Sequence, residues 1–280
     1  MRTREKAGDA ARAGIMRVLF FGDIVGRVGR HALEETLPRW RDELDPDIII
    51  ANGENTAGGV GITRSIAEEL FDLGVEVITL GNHTFAQRDV VPLLEHDHRV
   101  LRPANYPPGV PGLGYGVFPT PAGPLAVLCL LGRVFMDPVD DPFQTAETLV
   151  PLLKQETRCM LIDAHAEATS EKAALAWMLD GRVSAVIGTH THVQTADERV
   201  LPAGTAFITD VGMVGPRDSI LGVQHDIIIK RFQTWMPARF EVAKGAALVN
   251  AVSVDLDTAT GRALSIARLA RVLDTPPFTK

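Results

Sequence analysis

The 280-residue chain is 46% hydrophobic and 22% charged, which fits an ordinary globular core and excludes a disordered or fibrous protein. A net charge of −7 excludes a general nucleic-acid coat and stable DNA binding, which need a basic surface, but bound cations could still reverse the local field for phosphate chemistry. No apolar run approaches the roughly 20 residues of a membrane span, and the charged start MRTREKAGDAARAGI lacks the apolar stretch of a secretory signal, so a cytoplasmic protein without a membrane role is expected.

In chain order, residues 1–15 offer little that could pack. They predict a disordered extension ahead of a single domain over 16–280, with Met16 as an alternative start. A first strand is predicted at 16–22 (MRVLFFG), followed by a helix in HALEETLPRWRDEL. A second strand, DIIIAN (47–52), precedes the helical SIAEELFDLG, with Thr63 as its N-cap. VEVITLGN (75–82) is the third strand. A Pro/Gly-rich stretch (103–124) separates it from LAVLCLLG, the helical ETLVPLLKQE and RCMLIDAH (158–165). The helical EKAALAWMLDG, VSAVIGTH (183–190) and AFITDVG (206–212) come next. Short apolar runs alternating with helices predict an α/β fold whose sheet is buried on both faces. Residues 239–256 and 262–270 alternate every second position and predict antiparallel strands, suited to closing the core or to a homo-oligomer interface. Cys129 and Cys159 lie within apolar runs and are read as inert core thiols.

The polar residues fall in a pattern. Run after run ends in a potential metal ligand: Asp23, Glu54-Asn55, Asn82-His83, His165, and His190-Thr191-His192. Ligands of open α/β sheets bind beyond the carboxyl ends of the strands, so these ends are expected to converge on one sheet edge. Carboxylate and amide oxygens mixed with imidazoles suit Mn²⁺, Fe or Zn²⁺ better than Ca²⁺ or a thiolate-seeking metal. An extended His190-Thr191-His192 segment would send both imidazoles to the same side, toward neighbouring ions. Taken singly, a strand-end Asp is more often a turn or helix cap. GDIVGRVGR has the wrong spacing for a dinucleotide loop. His31, His96, His98 and His225 lack the strand-end setting and read as surface or packing histidines.

Together the blocks GDIVGRVGR, NGENTAGGVG, TLGNHTF, DAHAEATSEK, GTHTHVQTAD and TDVGMVGPRDSILGV resemble the calcineurin-like metallophosphoesterases, and within them the YmdB-type subfamily. The resemblance implies a central β-sandwich flanked by helices (α/β/β/α). It implies two metal ions, Fe or Mn with Zn or Mg as further options. Asp23, Asn55 and His192 would hold one, Asn82, His165 and His190 the other, and Glu54 would bridge them. It further implies a phosphodiesterase acting on small diesters, most closely 2′,3′-cyclic nucleotides. A metal-bridging hydroxide would attack phosphorus while His83 protonates the leaving oxygen. The chain departs from the wider superfamily in three places. Asp23-Ile24-Val25 replaces D-x-H, Glu54 stands where Asp is usual, and Thr84 follows His83 where an acidic residue would orient it. Arg217, in the loop 211–223, and Arg27 are candidates for substrate contact. The competing readings are a phosphomonoesterase or protein phosphatase, and a non-catalytic metal-binding regulator of RNA or protein partners.

Overall fold

The computed structural model describes residues 13–274, so residues 1–12 of the expected extension lie outside the described part. The chain enters at β1 (Ile15–Phe21), one residue earlier than expected, with Ile15 paired to Asp257. β2 (Asp23–Ile24), α1 (Gly26–Leu44), β3 (Ile48–Asn52), α2 (Arg64–Leu73), β4 (Val77–Thr79), α3 (Val90–His96) and β5 (Val100–Leu101) follow. A second series runs through β6 (Tyr115–Thr120), β7 (Gly123–Leu131), α4 (Pro142–Leu153), β8 (Cys159–His165), α5 (Thr169–Met178), β9 (Ala185–Thr189), β10 (Arg199–Val200) and β11 (Ala206–Ile208). The chain then returns through β12 (Met213–Pro216), α6 (His225–Thr234), β13 (Ala247–Asp257) and β14 (Ala263–Leu273).

These strands form two sheets. One has eight strands, in the order β2-β12-β13-β1-β3-β4-β5 with β14 against β13, and the other runs β10-β11-β9-β8-β7-β6. The alternation of β1 shows why they stack. Met16, Val18 and Phe20 enter the core shared with Leu125, Val127 and Ile187 of the second sheet, whereas Leu19 and Phe21 pack under α1 with Leu33, Leu37 and Trp40. A third core lies between the second sheet and α4 and α5, through Leu128, Leu130, Val150 and Leu175. The layers are therefore helix, sheet, sheet, helix, as the resemblance implied.

Local signals account for much of the element list. Thr63 caps α2 by accepting the Ile66 N–H (3.3 Å), and Gly74 ends it in the left-handed conformation that a residue without Cβ adopts cheaply. Pro38 lies within α1 and does not end it. Seven elements depart from the sequence pattern, the short strands β2, β5, β10 and β12 among them. α3 and α6 were not expected, and β6 falls in the Pro/Gly-rich stretch, where it pairs with β7 in a hairpin. The expected strand over 239–246 is an irregular segment, and regular pairing begins at Ala247. β13 and β14 do form the antiparallel pair, and β13 also pairs with β1 and β12. Arg17 locks the β1–β13 register with two bonds to Asp255 (2.7 and 2.9 Å). Among the described residues no helix is long and apolar enough to cross a membrane.

The strand ends are packed backbone to backbone. A Cβ on Gly22 would fall 1.9 Å from the Gly212 carbonyl oxygen, and one on Gly188 only 1.7 Å from that of Thr209. Both sheet ends are thus pressed against the 209–212 turn. Gly188→Ala is expected to cost about 3 kcal/mol or more through this overlap, read as a lower denaturant midpoint with unchanged slope. A midpoint within experimental error of the parent would contradict the packing.

Candidate metal centre

The expected ligands meet at the common end of two sheets rather than at the edge of one. Asp23 leaves β1, Glu54 and Asn55 follow β3, and Asn82 and His83 follow β4, all in the first sheet. His165 ends β8, and His190 and His192 follow β9, in the second. Glu54, His165 and His190 present donor atoms within 4.8 Å of one another. His165 Nε2 lies 3.1 Å from Glu54 Oε1, 3.1 Å from Asn82 Oδ1 and 3.0 Å from His190 Nδ1. Such spacings match an edge of about 3.0 Å in an octahedral set with bonds near 2.1 Å. Gly81 is required here, because a Cβ would fall 2.3 Å from both Glu54 Oε2 and His165 Nε2.

The second group of donors surrounds Asp23. Its carboxylate is fully buried, and Oδ2 accepts the His190 N–H (3.1 Å). Its Oδ1 has no hydrogen-bond partner, while His192 Nε2 is 3.7 Å away. An unpartnered buried carboxylate oxygen beside an imidazole nitrogen fits a cation, since leaving it bare is costly. Asn55 presents its amide nitrogen to His192 Nε2 (3.2 Å) and Glu54 Oε1 (3.3 Å), and its oxygen to His83 Nδ1 (2.8 Å). A cation between Glu54 and His192 would favour the opposite amide orientation, with oxygen inward.

Electrostatics point the same way. Burial alone would lower the His165 pKa, but the Glu54 carboxylate reverses this and raises it to about 9. Burial works against ionised Glu54 too, yet His165 and His83 hold it well below the usual range. Burial and the neighbouring His165 charge push His190 down to about 3, so it is a neutral acceptor. Burial raises Asp23 to about 6 against the pull of His192 and His165. The His165 proton thus lies among Glu54, Asn82 and His190, the position a cation would take.

Residues that sequence reasoning missed hold this arrangement. His165 Nδ1 faces Thr189 Oγ1 (2.9 Å), which donates to Asp163 Oδ1 (2.6 Å), so Nε2 is fixed as the nitrogen facing the cluster. Thr79 and Asn52 donate to Asp163 Oδ2 (2.5 and 3.2 Å). Lys172, fully buried, donates to the Thr189 carbonyl (2.6 Å) and to Asp210 (2.8 Å). Asp210 accepts from Thr191 N (3.0 Å) and Oγ1 (2.7 Å), so this pair clamps both neighbours of His190. Their only sequence signal was a charge inside an apolar or helical run.

Three expectations need correction or refinement. The His190-Thr191-His192 segment is bent rather than extended, with φ of 93° and 64° at the two histidines. Their imidazoles therefore diverge, one to His165 and one to Asn55 and Asp23. Such non-glycine conformations are strained and persist because the Lys172–Asp210 clamp over-determines them. His83 is oriented by Asn55 Oδ1 and, at 3.3 Å, Glu54 Oε1, whereas Thr84 turns away to the Gly81 carbonyl (2.6 Å). Arg217 is exposed and pairs with Asp218 and Asp274 (each 2.9 Å), so it is not brought to the cluster. Its loop reaches the centre through Leu221, whose carbonyl accepts from His192 Nδ1 (3.0 Å). Arg27 lies in the first turn of α1, within 3.4 Å of His31. Both cysteines are buried free thiols, and burial raises both pKa values.

Residues 19–269 match the model of the YmdB-like protein family. The chain is 48% identical to a 2′,3′-cyclic-nucleotide 2′-phosphodiesterase of Bacillus subtilis (strain 168), over 91% of this chain and 96% of that one. A solved structure of a hypothetical protein from Thermus thermophilus superposes with a TM-score of 0.87 at 43% identity, covering 92% of this chain and 99% of the other. A phosphatase structure from Mycoplasma pneumoniae gives 0.88 at 33% identity, over 94% and 95%.

Two outcomes are expected. Cation binding needs the His165 Nε2 lone pair, so Mn²⁺ binding near pH 7 should expel about one proton per protein, less as pH rises past 9, and more below 6 as Asp23 contributes. Calorimetric titration in two buffers of different ionisation enthalpy measures this, and zero release at pH 7 would contradict it. Lys172→Met leaves Asp210 buried without its partner and should cost about 3–5 kcal/mol. Bound metal should fall with it, read by elemental analysis under conditions where the variant is still folded.

Proposed function

This chain belongs to the YmdB-like family, and on that premise we propose that it is a metal-dependent phosphodiesterase that opens 2′,3′-cyclic nucleotides. The observation that carries this reading is the buried, unpartnered Asp23 Oδ1 beside His192, joined through Glu54 and Asn55 to the Asn82–His165–His190 group. We take Asp23, Asn55 and His192 to hold one cation and Asn82, His165 and His190 the other, with Glu54 between them. When bound, the two cations would activate water and neutralise charge developing on the non-bridging phosphate oxygens.

The chain's own groups supply the rest. His83 is partly exposed, with a side chain 36% accessible, and its Nδ1 is held by Asn55 and Glu54. This leaves Nε2 to deliver a proton to a leaving oxygen. Water adds to phosphorus and gives up one proton, the P–O2′ bond breaks and the His83 proton goes to O2′, giving a 3′-phosphomonoester, and the proton from water restores His83. The 2′ preference follows the Bacillus subtilis relative's name. A diester carries one negative charge at the scissile phosphate, which agrees with a cluster whose proposed ligands, among the described residues, bond no Arg or Lys directly, Lys172 being engaged by the Thr189 carbonyl and Asp210.

The test is hydrolysis of 2′,3′-cyclic AMP by purified protein. Activity should vanish on chelation and return with Mn²⁺ or Fe²⁺. His83→Gln should lower kcat by about 10²–10⁴-fold with metal content intact. Absence of turnover with either ion would remove the cyclic-nucleotide reading, and full activity of the His83 variant would remove its role as acid.

A further inference from the structure

A cavity of about 770 Å³ lies beside the candidate centre, with Arg27, Gly58, Arg239, Phe240, Glu241 and Lys244 among its lining residues. It offers three cations against one carboxylate, in a chain of net charge −7. Phe240 is 49% exposed at its wall. The 19-residue helix α1 begins there with no acidic residue in its first turn, so the turn itself adds no negative charge.

The cavity and the centre share a loop. Gly58 is three residues beyond Asn55, no more than about 11 Å by chain reach. The Asn55 carbonyl accepts from both Gly26 and Gly59 (2.9 and 3.2 Å). Val242, from the cavity wall, packs so closely on these two glycines that an added Cβ would meet it at 3.1 and 3.0 Å. The wall is tied to the other side of the centre as well. Ala243 N–H donates to the Gly222 carbonyl (2.9 Å), next to the Leu221 carbonyl that receives His192. The cavity wall is therefore tied to both the Asn55 loop and the Leu221–Gly222 loop, which meet the candidate centre from two sides.

We propose that this cavity binds the nucleotide on the 5′ side of a 2′,3′-cyclic phosphate, so that short RNA ends are substrates alongside mononucleotides. This rests on the cyclic-phosphodiester reading of the centre. Strand scission by a 2′-hydroxyl leaves such ends, so the reaction class that supplies this substrate is RNA cleavage by internal transesterification. Arg27, Arg239 and Lys244 neutralise the internal phosphate, and Phe240 offers a face for base stacking. The otherwise acidic surface keeps the bound segment to a few nucleotides. Hydrolysis opens the P–O2′ bond as before, with the proton passing to O2′ and a 3′-phosphate end as product.

The experiment compares kcat/KM on 2′,3′-cyclic AMP and on a trinucleotide RNA ending in a 2′,3′-cyclic phosphate. The wild type should prefer the trinucleotide by about tenfold at low salt, with the preference shrinking as salt rises. In the double variant Arg239→Ala, Lys244→Ala the ratio should fall close to one. A wild-type ratio of one or less, or a ratio retained in the variant, overturns the proposal. A second arm needs no turnover. Fluorescence anisotropy of a labelled trinucleotide 3′-phosphate with metal-chelated protein should show about tenfold weaker binding to the variant. Equal binding overturns the proposal, and turnover of neither substrate sinks the reading of the centre while this arm still decides the cavity.

Discussion

The contact between Glu54 and His165 is the point on which the two sheets depend. One residue comes from each sheet, both are buried, and their polar atoms lie 3.1 Å apart. Water cannot screen them, so only a shared proton or a cation can reconcile a carboxylate, two imidazoles and an amide oxygen in that space. Everything nearby serves that requirement. Gly81 gives up its side chain, Thr189 and Asp163 fix which imidazole nitrogen faces inward, and Lys172 with Asp210 holds the His190 backbone.

How much of this was legible depended on what kind of information a residue carries. Asp23, Glu54, Asn55, Asn82, His165, His190 and His192 each interrupt the end of an apolar run, and a linear pattern records that directly. The alternation of strands and helices made an α/β fold visible but suggested one sheet buried on both faces, and the second sheet was implied only by the family resemblance. Asp163 and Lys172 were not legible as site residues, because their partners Thr189 and Asp210 are 26 and 38 residues away. Arg217 illustrates the reverse error. It stands in a loop that does touch the centre, but through the Leu221 carbonyl, and backbone atoms leave no trace in residue identity. The bend at His190 and His192 was hidden for a related reason, since a positive φ at a non-glycine residue is imposed by its surroundings.

One of the three departures from the wider superfamily pattern, Thr84 after His83, is accounted for by the structure. The orienting partner missing at Thr84 is supplied by Asn55 and Glu54 across the site, so His83 is held by two of the proposed ligands. The proposed acid and the proposed cation site then share one set of contacts. A change at Asn55 disturbs His83 as well as His192, and its effects on the two should be non-additive.

The triple pairing of β13 carries a consequence for biosynthesis. β1 leaves the ribosome long before its antiparallel neighbour, which runs from Ala247 to Asp257, and Arg17 finds Asp255 only then. Asp23, Glu54, Asn82, His165 and His192 are all translated before the strand that completes their platform. Nascent chains therefore pass through a period in which the proposed ligands exist but their frame does not. High sequence separation of this kind slows folding and exposes unpaired strand edges, making the growing polypeptide a natural client for chaperones. On this topology the proposed metal centre gains its frame only once β13 has paired.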